Sequence, residues 1–277
     1  MRSLISLLVL FRPLNLLLAT LTVLVSAAVL DALNQTGSIL KAVLTVVTLN
    51  AAANAFNDVR DLETDRINRT RRPLPRGTVS PGTALGSSVV LFLTGAAVSV
   101  FLPPSAFVIA LFGAIPLMVA YSMWFKGWPL VGNITIAVIL GLTFIFSGAA
   151  LGKPLGMLVP ALLAFGFTLI RELIKDMADL EGDRLAGLRT FPVRFGLVPS
   201  VRLAVVFICI LCLGALVPYW VGIYGYGYLT VLVFGIEIPL LFIVFLLMKS
   251  SAVGTCRVSS QILKGCIFAG LLAVYLG

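Results

Sequence analysis

The chain has 277 residues, 60% of them hydrophobic and only 11% charged, with a mean hydropathy of +1.11. Soluble domains carry about 45–50% apolar and about 25% charged residues, so the composition excludes a soluble enzyme, a disordered chain and a secreted disulfide scaffold. The chain has no histidine, which excludes His-ligated zinc or iron, Ser–His–Asp catalysis and His proton relays.

A transmembrane helix uses about 20 apolar residues. Apolar runs of that kind lie at 14–30, 37–56, 83–102, 105–122, 130–151, 156–174, 200–217, 226–247 and 261–276. The expectation is an all-α polytopic membrane protein, one integral-membrane domain over 1–277 with nine transmembrane helices. The first run lacks the flanks of a cleaved signal and is read as a helix. Pro103-Pro104, Pro129, Gly152 to Pro154 and Pro218 mark the joints. Cys209 and Cys212 form a C-x-x-C inside an apolar run with no second ligand pair. They read as inert thiols, and nothing suggests a disulfide framework.

The twenty basic residues sort by side. With the N-terminus cytoplasmic, eighteen of them fall on cytoplasmic segments, and only Lys41 and Lys153 fall outside. This positive-inside bias supports an odd number of spans with the C-terminus outside. The net charge of +9 then reflects topology and attraction to anionic lipid, not nucleic-acid binding.

The eleven acids are more concentrated still. Four lie at Asp58, Asp61, Glu63 and Asp65, and five at Glu172, Asp176, Asp179, Glu181 and Asp183. Both clusters place aspartates at i, i+3 and i+7, with an arginine directly after the last. On a helix those offsets fall on one face. Asn54 stands one turn before Asp58 and extends the first stripe. Three carboxylates on one stripe repel, and a divalent cation among them offsets the repulsion. Hard oxygen donors suit Mg²⁺, which takes one or two carboxylates together with waters and substrate phosphates. Two such clusters suit two Mg²⁺ ions around one diphosphate. A solvated, salt-bridged helix end is the plainer reading of either cluster alone; the repetition weighs against it.

Each cluster is followed by a basic, proline-containing loop, Arg69 to Gly77 and Arg189 to Gly196, which suggests an internal duplication. Arginine forks there suit phosphate oxygens, and they also suit simple cytoplasmic retention. A third joint runs from Tyr121 through Trp124, Lys126 and Trp128 to Asn133. Its lysine suits a diphosphate and the Tyr121 ring a cation; an interfacial aromatic belt explains the same residues equally well.

At these residues the chain resembles the UbiA superfamily of intramembrane prenyltransferases. The resemblance rests on Asn54, Asp58, Asp61 and Asp65 followed by Arg72-Pro73-Leu74-Pro75, on Asp176, Asp179 and Asp183, and on Tyr121, Lys126 and Asn133. It implies nine helices around a central cavity, with Mg²⁺ and diphosphate at a cytoplasmic cap. It implies transfer of a prenyl group from a polyprenyl diphosphate donor to a lipophilic acceptor. Arg171 to Asp183, with Thr190-Phe191-Pro192, looks most like the archaeal ether-lipid subgroup. Members of that subgroup move a geranylgeranyl group onto geranylgeranylglyceryl phosphate. Ala178 and Phe191 depart from the subgroup's pattern. No obligate protein partner is expected.

The resulting expectations are specific. Asp58, Asp61 and Asp65 hold one Mg²⁺ with Asn54 in support, and Asp176, Asp179 and Asp183 hold a second. Arg66, Arg72, Lys126 and Lys175 contact diphosphate. Arg12 either holds an acceptor phosphate or anchors the first span at the interface. Glu237 is a lone acid mid-span with no role in prenyl transfer. Two rivals remain: a prenyltransferase with an aromatic acceptor, and a cation-coupled transporter. Against the transporter, nine acids gather at one membrane face and only Glu237 lies near the midplane.

Overall fold

A computed structural model of the chain describes residues 2–277, and every element among them is helical. The helices are α1 (Arg2–Leu10), α2 (Pro13–Val29), α3 (Thr36–Arg60), α4 (Leu62–Asn68) and α5 (Pro81–Ser99). They continue as α6 (Pro104–Phe125), α7 (Val131–Ala150), α8 (Leu158–Ala178, after a 3₁₀ turn at Pro154–Met157) and α9 (Leu180–Leu185). The last four are α10 (Phe191–Phe195), α11 (Leu197–Trp220), α12 (Tyr226–Lys249) and α13 (Val253–Leu276).

Among the described residues, eight helices are long and apolar enough to cross a membrane: α3, α5, α6, α7, α8 with its leading turn, α11, α12 and α13. The chain is a multi-pass membrane protein. The expected first span coincides with α2, whose 17 residues reach only about 25 Å at 1.5 Å per residue, short of the ~30 Å hydrocarbon core. Apolar side chains such as Phe101, Phe112, Phe234 and Met248 point outward, as a lipid solvent requires. Several hydroxyls inside the apolar helices satisfy themselves locally. Ser26 donates to the Thr22 carbonyl, Thr45 to Lys41 and Ser147 to Thr143, at 2.7–2.8 Å, because no water is available to them there.

Two compact units emerge, residues 1–124 with 142–157 and residues 125–141 with 158–277, the divisions falling at the end of α6, inside α7 and just ahead of α8. In the first unit α3 packs closely on α5. A Cβ placed on Gly95 would come within 2.6 Å of Leu49 Cδ2 and 2.8 Å of Thr48 Oγ1, so only glycine allows this approach. Ser88 adds a hydrogen bond of 2.9 Å to the Ala52 carbonyl. Lys41 and Lys153, the two bases that break the charge pattern, act here as helix stoppers. Lys41 donates to the Phe101 carbonyl beyond α5, and Lys153 to the Leu30 carbonyl at the end of α2, where unpaired carbonyls and the helix dipole attract a cation. In the second unit, Leu173, Ile174 and Met177 of α8 are fully buried with Ile208 of α11, Leu240, Ile243 and Leu247 of α12 and Leu263 of α13.

Candidate active site

The two acidic clusters share a local architecture that their spacing does not reveal. Neither lies on one continuous helix. α3 ends at Arg60 and α4 begins at Leu62, with Asp61 between them at φ −88°, ψ 1°. α8 ends at Ala178 and α9 begins at Leu180, with Asp179 between them at φ −97°, ψ 8°. Both residues sit in the bridge region, sparsely populated and frequent in active sites. Each cluster is thus interrupted at its middle aspartate, while Asp58 and Asp65 remain close enough to share Arg72. Hydrogen bonding continues across the interruption: Asp61 N–H reaches the Asn57 carbonyl and Asp65 N–H the Asp61 carbonyl. Asp179 N–H reaches Lys175 and Asp183 N–H reaches Asp179 in the same way.

In the first unit, arginines converge on the buried ends of the cluster. Arg72 Nη1 donates to Asp65 Oδ2 at 2.5 Å and to Asp58 Oδ1 at 3.0 Å. Arg12 Nη2 adds 2.5 Å to the same Asp58 oxygen. Both carboxylates are almost fully buried. Arg12 is held by its backbone, which lies in the left-handed region at φ 56° ahead of Pro13; a residue before proline is disfavoured in the right-handed helical region. Asn54 donates to the Phe11 carbonyl at 3.1 Å, so it secures the turn that presents Arg12. Asp61 Oδ2 accepts from Asn57 at 2.7 Å, and Asn57 in turn accepts from Ser122 at 3.4 Å. Tyr121 opens a π-helical turn, Tyr121–Phe125. Arg66 pairs instead with Glu63 on the exposed side, the kind of surface pair that contributes little.

In the second unit, Asn133 near the start of α7 donates to Asp176 Oδ2 at 2.7 Å, and Thr190 donates to Asp183 Oδ2 at 3.2 Å. Thr190 stands seven residues after Asp183, as Arg72 stands seven after Asp65, and each bonds the last aspartate of its cluster. Arg189 N–H reaches the Gly127 carbonyl at 2.9 Å. That bond ties two loops together and brings Lys126 near enough to stabilise the Asp183 anion. Lys175 donates to Glu172 Oε2 at 2.8 Å, and Arg171 Nη1 to Glu172 Oε1 at 2.5 Å.

Burial raises Asp65 above the ordinary aspartate value, against the opposing pull of Arg72, and the charges of Asp61 and Asp58 push the same way. Burial raises Asp183 likewise, with Asp179 adding to it and Thr190, Lys175 and Lys126 opposing. The donors are hard oxygens, the chemistry Mg²⁺ prefers. Among the described residues no three acids converge tightly enough to hold a metal by themselves. Asn57, Arg171, Glu172 and Thr190 stand within the sequence motifs, but the spacing assigned them no part.

These elements define a multi-pass helical membrane protein with acidic hinges at two helix ends. The chain belongs to the UbiA prenyltransferase family, whose model matches residues 16–258, and it is a prenyltransferase. It is 40% identical over 225 residues to the digeranylgeranylglyceryl phosphate synthase of Natronomonas pharaonis, covering 81% of each chain. It is 34% identical over 262 residues to the enzyme of that name from Methanopyrus kandleri, covering 95% of each. Among solved structures, one from work on digeranylgeranylglyceryl phosphate synthase in membranes aligns with a TM-score of 0.80 at 27% identity, over 100% of this chain and 99% of the other. A UbiA homologue from Archaeoglobus fulgidus bound to GPP and Mg²⁺ shares the fold, with a TM-score of 0.66 at 17% identity over 97% of this chain and 99% of the other.

Proposed function

We propose that the chain transfers a geranylgeranyl group from geranylgeranyl diphosphate to the free hydroxyl of geranylgeranylglyceryl phosphate, forming the second ether bond of an archaeal-type membrane lipid. The observation that carries the reaction class is the matched pair of hinged, oxygen-rich aspartate clusters. The choice of acceptor draws support from the names of the relatives. Asp58, Asp61 and Asp65 are assigned one Mg²⁺ and Asp176, Asp179 and Asp183 a second, both serving one donor diphosphate; that sharing rests on the repeated spacing in the sequence. When bound, Mg²⁺ neutralises the charge that grows on the departing diphosphate.

The rest falls to the chain. Arg72 and Arg12 hold Asp58 and Asp65 in place, and Asn133 and Thr190 orient Asp176 and Asp183. The donor's C1–O bond breaks, the acceptor oxygen bonds to C1, and the hydroxyl proton passes to a carboxylate or to the released diphosphate. Apolar walls keep water from the allylic cation. Burying each CH₂ is worth about 0.8 kcal/mol, so a geranylgeranyl chain gains on the order of 10 kcal/mol in a lipid-like cavity. With α2 counted as a ninth span, the positive-inside bias of the sequence supports a cytoplasmic N-terminus, both clusters on that side and the C-terminus outside. The chain is read as a single catalytic domain.

Purified protein given geranylgeranyl diphosphate, Mg²⁺ and either geranylgeranylglyceryl phosphate or aromatic carboxylic acids tests the reading. Ether product with the glyceryl phosphate alone is expected. Product with the aromatic acids alone moves the chain to the quinone, haem or chlorophyll type.

A further inference from the structure

α8 carries a second charged group that the metal chemistry leaves unused. Arg171 lies seven residues before the helix ends at Ala178, about 10 Å into the span at 1.5 Å per residue. A guanidinium at that depth has to face protein or a water-filled cavity, and it marks a functional position by default. Arg171 and Glu172 are sequence neighbours, which ordinarily point apart on a helix, yet they bond at 2.5 Å. Glu172 is almost fully buried and divides its two oxygens, Oε1 to Arg171 and Oε2 to Lys175. One carboxylate thus braces two cations, and the trio keeps a net positive charge.

The free valence sits on the arginine. Arg171 Nε is buried and has no hydrogen-bond partner. Nε and Nη2 form the side-on fork of a guanidinium, the edge that matches two oxygens of a phosphate. Nη1, on the other side, is the nitrogen that Glu172 has taken. The group is therefore fixed at one end and presents a buried donor at the other.

We infer that Arg171, positioned by Glu172, binds the phosphate monoester of the acceptor. Glu172 then sets the spacing between that phosphate and Lys175, so one carboxylate registers the acceptor against the donor's contact. The assignment deepens the proposed function and rests on its acceptor. It also separates two residues by role: Arg171 discriminates among acceptors, whereas Glu172 acts through it.

The test uses the full chain in lipid nanodiscs with Mg²⁺ and geranylgeranyl diphosphate. The acceptors are geranylgeranylglyceryl phosphate and the same lipid without its phosphate. R171Q is expected to raise the acceptor KM at least tenfold with kcat and donor KM near wild type. Its preference for the phosphorylated acceptor is expected to fall by a similar factor. Unchanged acceptor KM and unchanged preference in R171Q overturn the inference and leave the ether-forming reading intact. If wild type makes no ether with this acceptor, the proposed function fails, and direct binding of geranylgeranylglyceryl phosphate without donor decides the inference separately. At least tenfold weaker binding by R171Q supports it; equal binding, or none by wild type, overturns it. Should R171Q not fold, R171K keeps the charge but loses the Nε edge, and it is read by the same criteria.

Discussion

Asp61 and Asp179 break their helices in the same way, each with φ near −90° and ψ near 0°, while the hydrogen bonds before and after them continue. Each is the middle acid of its triplet. In the first triplet the outer two carboxylates stay on one side, where a single Arg72 nitrogen reaches both Asp58 and Asp65. The same helix break in two segments with different neighbours ties it to the D-x-x-D-x-x-x-D spacing. The seven-residue step to Arg72 in one and Thr190 in the other strengthens the case for duplication, with the guanidinium of the first half replaced by a neutral hydroxyl in the second.

Asp58→Ala and Asp179→Ala are each expected to lower prenyl transfer at least ~100-fold, the order of effect seen when one charge-stabilising group is lost. Both proteins are expected to elute from size exclusion in detergent as wild type does. Near-normal turnover in either returns the clusters to surface salt-bridge networks.

Much of this was legible from residue spacing, and the rest was hidden for identifiable reasons. Of the nine apolar runs, eight coincide with helices long enough to cross among the described residues and the first with the shorter α2, because a lipid span is marked by length and hydropathy alone. The hinges were invisible, since i, i+3, i+7 reads as one helical face whether or not the backbone turns. Arg12 offered two readings, and its ion pair crosses 46 residues to Asp58, a distance no local pattern reports. Asn54 looked like a continuation of the acidic stripe, and it fastens the Phe11 carbonyl instead. Arg66 followed its aspartate as Arg184 does, but only the fold shows it turned outward to Glu63.

Arg72 joins two buried carboxylates, so its loss strands both. Removing one partner of a buried pair destabilises a protein by about 3–5 kcal/mol, and Arg72→Leu is expected to fall in that range. Thermal unfolding in detergent with EDTA measures it. Added Mg²⁺ is expected to restore part of the loss, because a cation replaces the missing positive charge; no recovery would argue that Asp58 and Asp65 do not meet the metal.

Gly95 allows α3 and α5 to touch, and its replacement tests that packing. Gly95→Val inserts atoms where a Cβ already meets Leu49 at 2.6 Å. Overpacking of this kind costs about 1–3 kcal/mol, read as a lower melting temperature. Gly37, with nothing within 4 Å of a Cβ, is the control, and Gly37→Ala is expected to melt as wild type does.

The raised carboxylates give the apo protein a pH dependence with a definite sign. Burial lifts Asp65 and Asp183 above the ordinary aspartate value, so between that value and the raised one the folded state binds more protons than the unfolded chain. Stability from these two groups is then present at low pH and is lost as pH rises through the folded values. With EDTA, the melting temperature is expected to be higher near pH 5 than near pH 7.5. Mg²⁺ needs the ionised carboxylates and relieves their repulsion, so its stabilising shift is expected to grow over the same interval. A Mg²⁺ shift that is equal at both pH values, or larger at the acid end, would place the ion away from Asp65 and Asp183.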